Sequence, residues 1–277
     1  MMVDLFDDCY LDGVHSSYGS KALAALAFFN PALSRDSMGR LPGARQAAKG
    51  WKRLVPPTAR LPLPWELVAA LAMMLFADQQ VEGALLTLLN FVCYLRPSEA
   101  HRLQVRDLVP PTKGSVHKYW SILLHPFERG VSSKTHEFDE TLMIDCPLLP
   151  SLGPALRKMS TNKRPGHKLF ELEQPEMSRL FLWAGQRLRV PSKMGLCMYM
   201  LRHSGASHDF GTKSRTLLEI KRRGRWRSDD SVRRYEKGGR LSSQLRSLGD
   251  SLRAHSLNCA RSIDKVVGGR RSPLKSL

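Results

Sequence analysis

At 277 residues the chain can bury a full core as one large domain, or one large and one small, and its 42% hydrophobic and 25% charged residues suit a soluble globular protein. The 43 Lys and Arg outnumber the 25 Asp and Glu, giving a net charge of +18 that favours a polyanionic partner, either nucleic acid or an acidic membrane surface. A membrane span is excluded, because the longest apolar run, Leu67 to Ala77, falls far short of the roughly 20 residues a span needs.

The chain opens on MMVDLFDDCY, which is acidic and has neither the basic start nor the cleavage site of a signal peptide. Ser20 to Phe29 predicts a short helix with a Ser cap, ended by Asn30-Pro31. The prolines from Pro56 to Pro64 mark a linker, so residues 1–60 form a first helical unit and 61–255 a second domain. Two buried helices are predicted at Trp65–Ala77 and Val81–Tyr94. Pro97 suits the first turn of another, running through SEAHRLQVRDL. Lys118–Leu124 is β-rich and pairs in expectation with Thr141–Ile144 across a loop containing SSKTHEF. Further helices are predicted at Pro150–Ser160, Pro175–Val190, Tyr199–Phe210, Ser214–Arg222 and near Leu241–Ala254, and residues 256–277 read as a basic flexible tail. The expected fold class is therefore mainly α with a small antiparallel β-sheet (α+β).

Charge concentrates toward the end: from Leu201 onward there are 19 Lys and Arg against 7 Asp and Glu, which is +12 of the total +18. The five cysteines are widely spaced with no C-x-x-C pair, which predicts reduced thiols and neither a disulfide framework nor a zinc cluster.

Cutting a DNA strand without metal or water needs a side chain able to form a covalent ester with phosphorus. It needs cationic donors for the non-bridging oxygens, best supplied by planar guanidinium groups, and an acid to protonate the leaving deoxyribose oxygen. No nucleotide cofactor is required, because the ester keeps the bond energy for rejoining.

Three ordered segments hold such groups. YLRPSEAHRLQVRDL carries Arg96 and Glu99, MYMLRHSGASHDF carries Tyr199, Arg202 and His203, and GRWRSDDSVRRYEK carries Trp226 and, nine residues on, Tyr235. Each taken alone is more often a capped helix start, a surface Arg-His pair or amphipathic packing. Together they resemble the boxes of the tyrosine recombinase (phage integrase) family, written G-x-R-x-x-E-x-x-x-L-x-x-x-D, H-x-L-R-H-S-x-A-(S/T) and G-H-x-x-x-x-x-T-x-x-Y.

The resemblance, over about Trp65 to Arg253, implies a tyrosine recombinase catalytic domain. Arg96 and Arg202 would be its phosphate-binding arginines, Tyr235 its nucleophile, and Glu99 and His203 supporting residues. Trp226 stands at a position the family fills with His or Trp, and its indole N–H can donate to phosphate. Lys134, in the predicted hairpin, would protonate the leaving 5′-oxygen. Two positions depart from the pattern: Tyr94 replaces Gly, and Tyr199 stands where His is usual, though its phenol can still donate. The implied activity is cleavage and rejoining of double-stranded DNA through a 3′-phosphotyrosine intermediate, in site-specific recombination or integration by a mobile element. It would use no cofactor or metal, as a homo-oligomer (a tetramer on two duplexes), intracellular and DNA-associated (nucleus or cytoplasm according to source). The alternative is a catalytically decayed recombinase that binds DNA. A type IB topoisomerase and a basic RNA-binding protein fit the boxes less well. Residues 1–60 are short for the family's amino-terminal DNA clamp: either they are a truncated form of it or the chain belongs to a divergent, element-encoded branch.

Overall fold

The computed structural model describes residues 1–34, 41–56, 61–133, 136–233 and 238–274. Lys134 and Tyr235 therefore lie outside the described residues. The chain forms two compact units, Met1–Arg60 and Leu61–Leu277.

The first unit is built on α1 (Met2–Leu11), α2 (Ser17–Phe29) and α3 (Pro42–Leu54). Its core is small: Phe6, Ala44, Ala48 and Trp51 are buried, with the Phe6 and Trp51 rings 6.1 Å apart. The acidic amino terminus, given no element from the sequence, is helical because Phe6 supplies the one buried anchor of α1.

The second unit is organised around α4 (Trp65–Ala77), on which ten of thirteen residues are buried. That burial explains its nearly uninterrupted apolar sequence. Helix α5 (Val81–Val92) packs against it and is buried from Gly83 to Val92. A short helix α6 (Pro97–Ala100) follows, then strands β1 (Leu108–Val109), β2 (Trp120–Leu124) and β3 (Glu140–Ile144). These form one antiparallel sheet in the order β1-β2-β3, with Trp120 opposite Ile144 and Leu124 opposite Glu140. Ile122, Leu124, Leu142 and Ile144 point into the core, as the two-residue period requires. The remaining elements are α7 (Leu152–Met159), α8 (Gln174–Arg187), α9 (Tyr199–Gly211), α10 (Leu217–Gly224), α11 (Asp229–Arg233), α12 (Gly238–Arg246) and α13 (Asp250–Val267). The protein is thus mainly α with a small antiparallel sheet, and among the described residues no helix is long and apolar enough to cross a membrane.

Three expectations are corrected. The helix predicted through SEAHRLQVRDL stops at Ala100, because the following backbone bonds elsewhere. Leu103 accepts from the Leu169 N–H at 2.8 Å, Val105 donates to the His167 carbonyl at 3.0 Å, and Leu108 enters β1. Residues 256–277 are not a flexible tail over their first half. They continue α13, whose Ser256, Cys259, Ile263, Val266 and Val267 are buried, and α13 packs chiefly on α4. The predicted last helix is also divided, into α12 and α13, around Gly249.

The second correction has a measurable consequence. Ile263 is fully buried, so Ile263→Ala should destabilise the protein by about 2–5 kcal/mol in urea melts, as a core truncation does. A change near zero would return this segment to a tail.

Candidate active site

The site grows from the end of α5. Tyr94 adopts φ +48°, a left-handed backbone that only glycine enters without strain, and this turn directs Arg96 to the start of α6. Tyr here is retained by its side chain. The ring is buried, its hydroxyl donates to Asp209 of α9, and the Arg223 guanidinium lies 5.5 Å from the ring centre. Asp209 also accepts from Arg215 at 2.9 Å, and Arg215 reaches Asp145 at 2.6 Å. Arg223 in turn donates to the Val92 carbonyl at 2.9 Å and to the Met143 carbonyl at 2.7 Å. This network ties the end of α5, strand β3, and helices α9 and α10 into one frame.

Inside the frame stands Glu99, 5% exposed. Its carboxylate accepts from the Arg96 backbone N–H at 2.7 Å, pairs with the Arg96 guanidinium, and accepts from Arg225 at 2.6 Å. Arg202 lies 3.9 Å from it. Burial raises the Glu99 carboxyl, but Arg225, the Arg96 N–H and guanidinium, and Arg202 outweigh burial and hold it below its ordinary 4.5. Glu140, at the start of β3, approaches Arg225 at 3.6 Å and is displaced upward, chiefly by burial. Three guanidiniums thus meet two carboxylates, leaving a local excess of positive charge.

Arg202 is only 1% exposed. Its terminal nitrogens donate to the Tyr94 and Gly224 carbonyls, and its guanidinium lies 4.7 Å from the Trp226 ring centre. Burial, and then the neighbouring Arg225, push it down to about 10. Gly224 is required beside it, since a Cβ there would meet the Trp226 ring at 1.8 Å. On α9, Tyr199 stands one turn before His203, their rings edge-to-face at 5.0 Å. Gly205 lets α9 approach α5, where a Cβ would meet the Phe91 carbonyl at 2.0 Å.

Of the residues singled out from the sequence, Arg96, Glu99, Arg202 and Trp226 come together, while Tyr199 and His203 pair with each other on the helix that carries Arg202. Arg225 was missed. It sits among Arg222, Arg223 and Arg227, and nothing in that run marks it as the one that reaches Glu99, from a left-handed φ of +53°. Next to the cluster opens a cavity of about 260 Å³ lined by Arg96, Ser98, Glu99, Arg102, His125, Ser132 and Ser133. Cationic donors and hydroxyls on its wall suit an anion such as a phosphate diester.

The backbone is similar to two solved recombinases. One is XerA recombinase, at 16% identity and TM-score 0.45, covering 94% of this chain and 89% of that one. The other is XerH site-specific recombinase, solved with a palindromic difH substrate in a post-cleavage complex, at 16% identity and TM-score 0.43, covering 81% of this chain and 70% of that one. Neither a protein-family model nor a curated protein sequence matches the chain.

The buried carboxylate has a pH signature. With its folded pKa depressed, Glu99 contributes stability that is full above 4.5 and is lost as pH falls through its lower folded value. Glu99→Gln should flatten that acid limb and cost about 3–5 kcal/mol at neutral pH, because it leaves Arg225 buried with only the more distant Glu140 carboxylate to balance it. Urea titrations of both proteins between acid and neutral pH read the difference directly.

Proposed function

We propose that the chain is a DNA strand transferase of the tyrosine recombinase type. It would cleave and rejoin duplex DNA through a 3′-phosphotyrosine at Tyr235. The observation that carries this reading is the meeting of Arg96, Glu99, Arg202 and Trp226, drawn from three segments remote in sequence, around one buried carboxylate. Such a meeting is not expected of chance matches to short motifs. In this reading the second unit, Leu61–Leu277, is the catalytic domain and residues 1–60 a separate helical DNA-binding module.

The roles follow from chemistry. Arg96, on the cavity wall, holds the scissile phosphate, and Glu99 fixes its guanidinium. Arg202 adds positive field from behind, where a water-poor setting strengthens it. Trp226 donates its indole N–H or shields the site, Tyr199 takes the place of the family's histidine with His203 supporting it, and Lys134 protonates the leaving 5′-oxygen. The +18 charge supplies non-specific attraction to the duplex.

One observation favours a second reading, a recombinase that binds DNA without cutting it. Arg202 has both terminal nitrogens engaged by backbone carbonyls, so it serves the fold before it serves a phosphate. The two readings separate on a nicked suicide duplex, which traps a covalent protein–DNA adduct only if the site is active. The expected result is an adduct that disappears in Tyr235→Phe while DNA affinity is retained. Arg96→Ala should slow adduct formation by about 3–4 kcal/mol of transition-state stabilisation, by analogy with lost oxyanion donors. Salt-sensitive DNA binding with no adduct establishes the second reading instead.

A further inference from the structure

The cavity of about 260 Å³ at Arg96 does not end there. It adjoins a second cavity of about 380 Å³, and Glu99, Arg102 and His125 line both. Apart from Arg102, the cations of the second cavity are already matched. Arg129 pairs with Asp107, and Lys168 pairs with Glu173 at 2.6 Å. Leu103, Leu124 and Val131 give it apolar wall. The two make one cleft, cationic at the Arg96 end and close to neutral beyond.

Arg102 stands at the junction. Its main chain is tied to the cluster: the N–H donates to the Glu99 carbonyl at 3.1 Å, and the carbonyl accepts from Arg129 at 3.5 Å. Its side chain is exposed, and among the described residues its guanidinium takes part in no ion pair or hydrogen bond. Its neighbours differ in this. Arg96 is bound by Glu99, Arg225 by Glu99 and Glu140, and Arg129 by Asp107. Arg202 and Arg223 are engaged by backbone carbonyls. A guanidinium with its planar edges free is a ready donor to a phosphate diester and gives up no protein contact in binding one.

We infer that Arg102 is a substrate-binding residue, which grips the backbone phosphate next to the one that Arg96 holds, on the same strand. This rests on the strand-transfer reading above. The smaller cavity has Arg96, Ser98 and Ser132 on its wall for the scissile phosphate. A strand leaving it carries a sugar before its next phosphate, and the near-neutral cavity alongside offers room for that sugar. Arg102 borders both, with a guanidinium that nothing else in the fold uses. Two phosphates held together fix the direction and register of the strand, so the second grip also aligns the first. The family pattern leaves this position open, since Arg102 falls between Glu99 and Leu103 where any residue is allowed.

The test uses the full chain and the nicked duplex, with single phosphates at and beside the scissile position replaced by neutral methylphosphonates. In the unsubstituted protein, neutralising one of the two neighbouring phosphates should weaken binding by about 10–100-fold, the range of a hydrogen bond to a charged group. Arg102→Gln leaves the fold intact, because the guanidinium bonds nothing in it. This variant should bind the unmodified duplex more weakly by the same factor, and that methylphosphonate should then cost it nothing further. Its slope of log affinity against log salt should be shallower by about 0.9, the value of one phosphate contact. Arg102→Lys keeps the charge and should restore the slope. Neighbouring methylphosphonates without effect on the unsubstituted protein overturn the proposal with no variant needed. So does a penalty that persists in Arg102→Gln, or one that Arg102→Gln removes only at the scissile phosphate. Absence of duplex binding by the unsubstituted protein overturns the strand-transfer reading and the Arg102 contact together, whereas binding indifferent to Arg102 overturns the contact alone.

Discussion

Everything around the candidate site depends on keeping several arginines close together in a poorly solvated place. Like charges so placed repel, and burial penalises each of them. Glu99 resolves the conflict: one buried carboxylate receives Arg96 and Arg225 and faces Arg202. It also accepts from the Arg96 backbone N–H, just ahead of α6, so its position does not depend on the guanidiniums alone. The remaining guanidinium donors are used on the frame itself. Arg202 closes the ends of α5 and α10 through their carbonyls, and Arg223 does the same for α5 and β3. Groups of the type that bind phosphate are here also the groups that join the helices.

That double use explains one departure from the family pattern, Tyr94 in place of Gly. A residue with positive φ is needed after α5, and Gly would meet the need at least cost. Tyr94 meets it too, because its hydroxyl reaches Asp209 and its ring underlies Arg223 and faces Trp226 at 6.3 Å. Those contacts offset the left-handed strain and give the arginine frame an aromatic floor. Trp226 likewise fits only because Gly224 has no side chain.

Much of the fold was legible in the sequence because periodicity and length agreed. Trp65–Ala77 matches α4 at both ends, since a long apolar run bounded by Pro64 and Asp78 has few other solutions. The segment after Pro97 was misread because its apolar spacing also suits a helix, and only the distant carbonyl of His167 and the N–H of Leu169 decide otherwise. The carboxy-terminal half of α13 was hidden by its arginines and serines, although Leu252, Cys259, Ile263 and Val266 already lie on one helical face. At the site, the spacing of Arg96 and Glu99 within one helical turn was readable. The reach of Arg225 to Glu99 and the cavity-facing place of His125 were not, because both depend on left-handed residues that no local signal announces.

The account's central claim is that this arginine frame serves covalent DNA strand transfer from Tyr235. The most direct measurement is mass-spectrometric mapping of the peptide that carries the nucleotide after trapping on a nicked duplex. The account requires the adduct on the peptide containing Tyr235. An adduct on Tyr199 or on any other residue contradicts it.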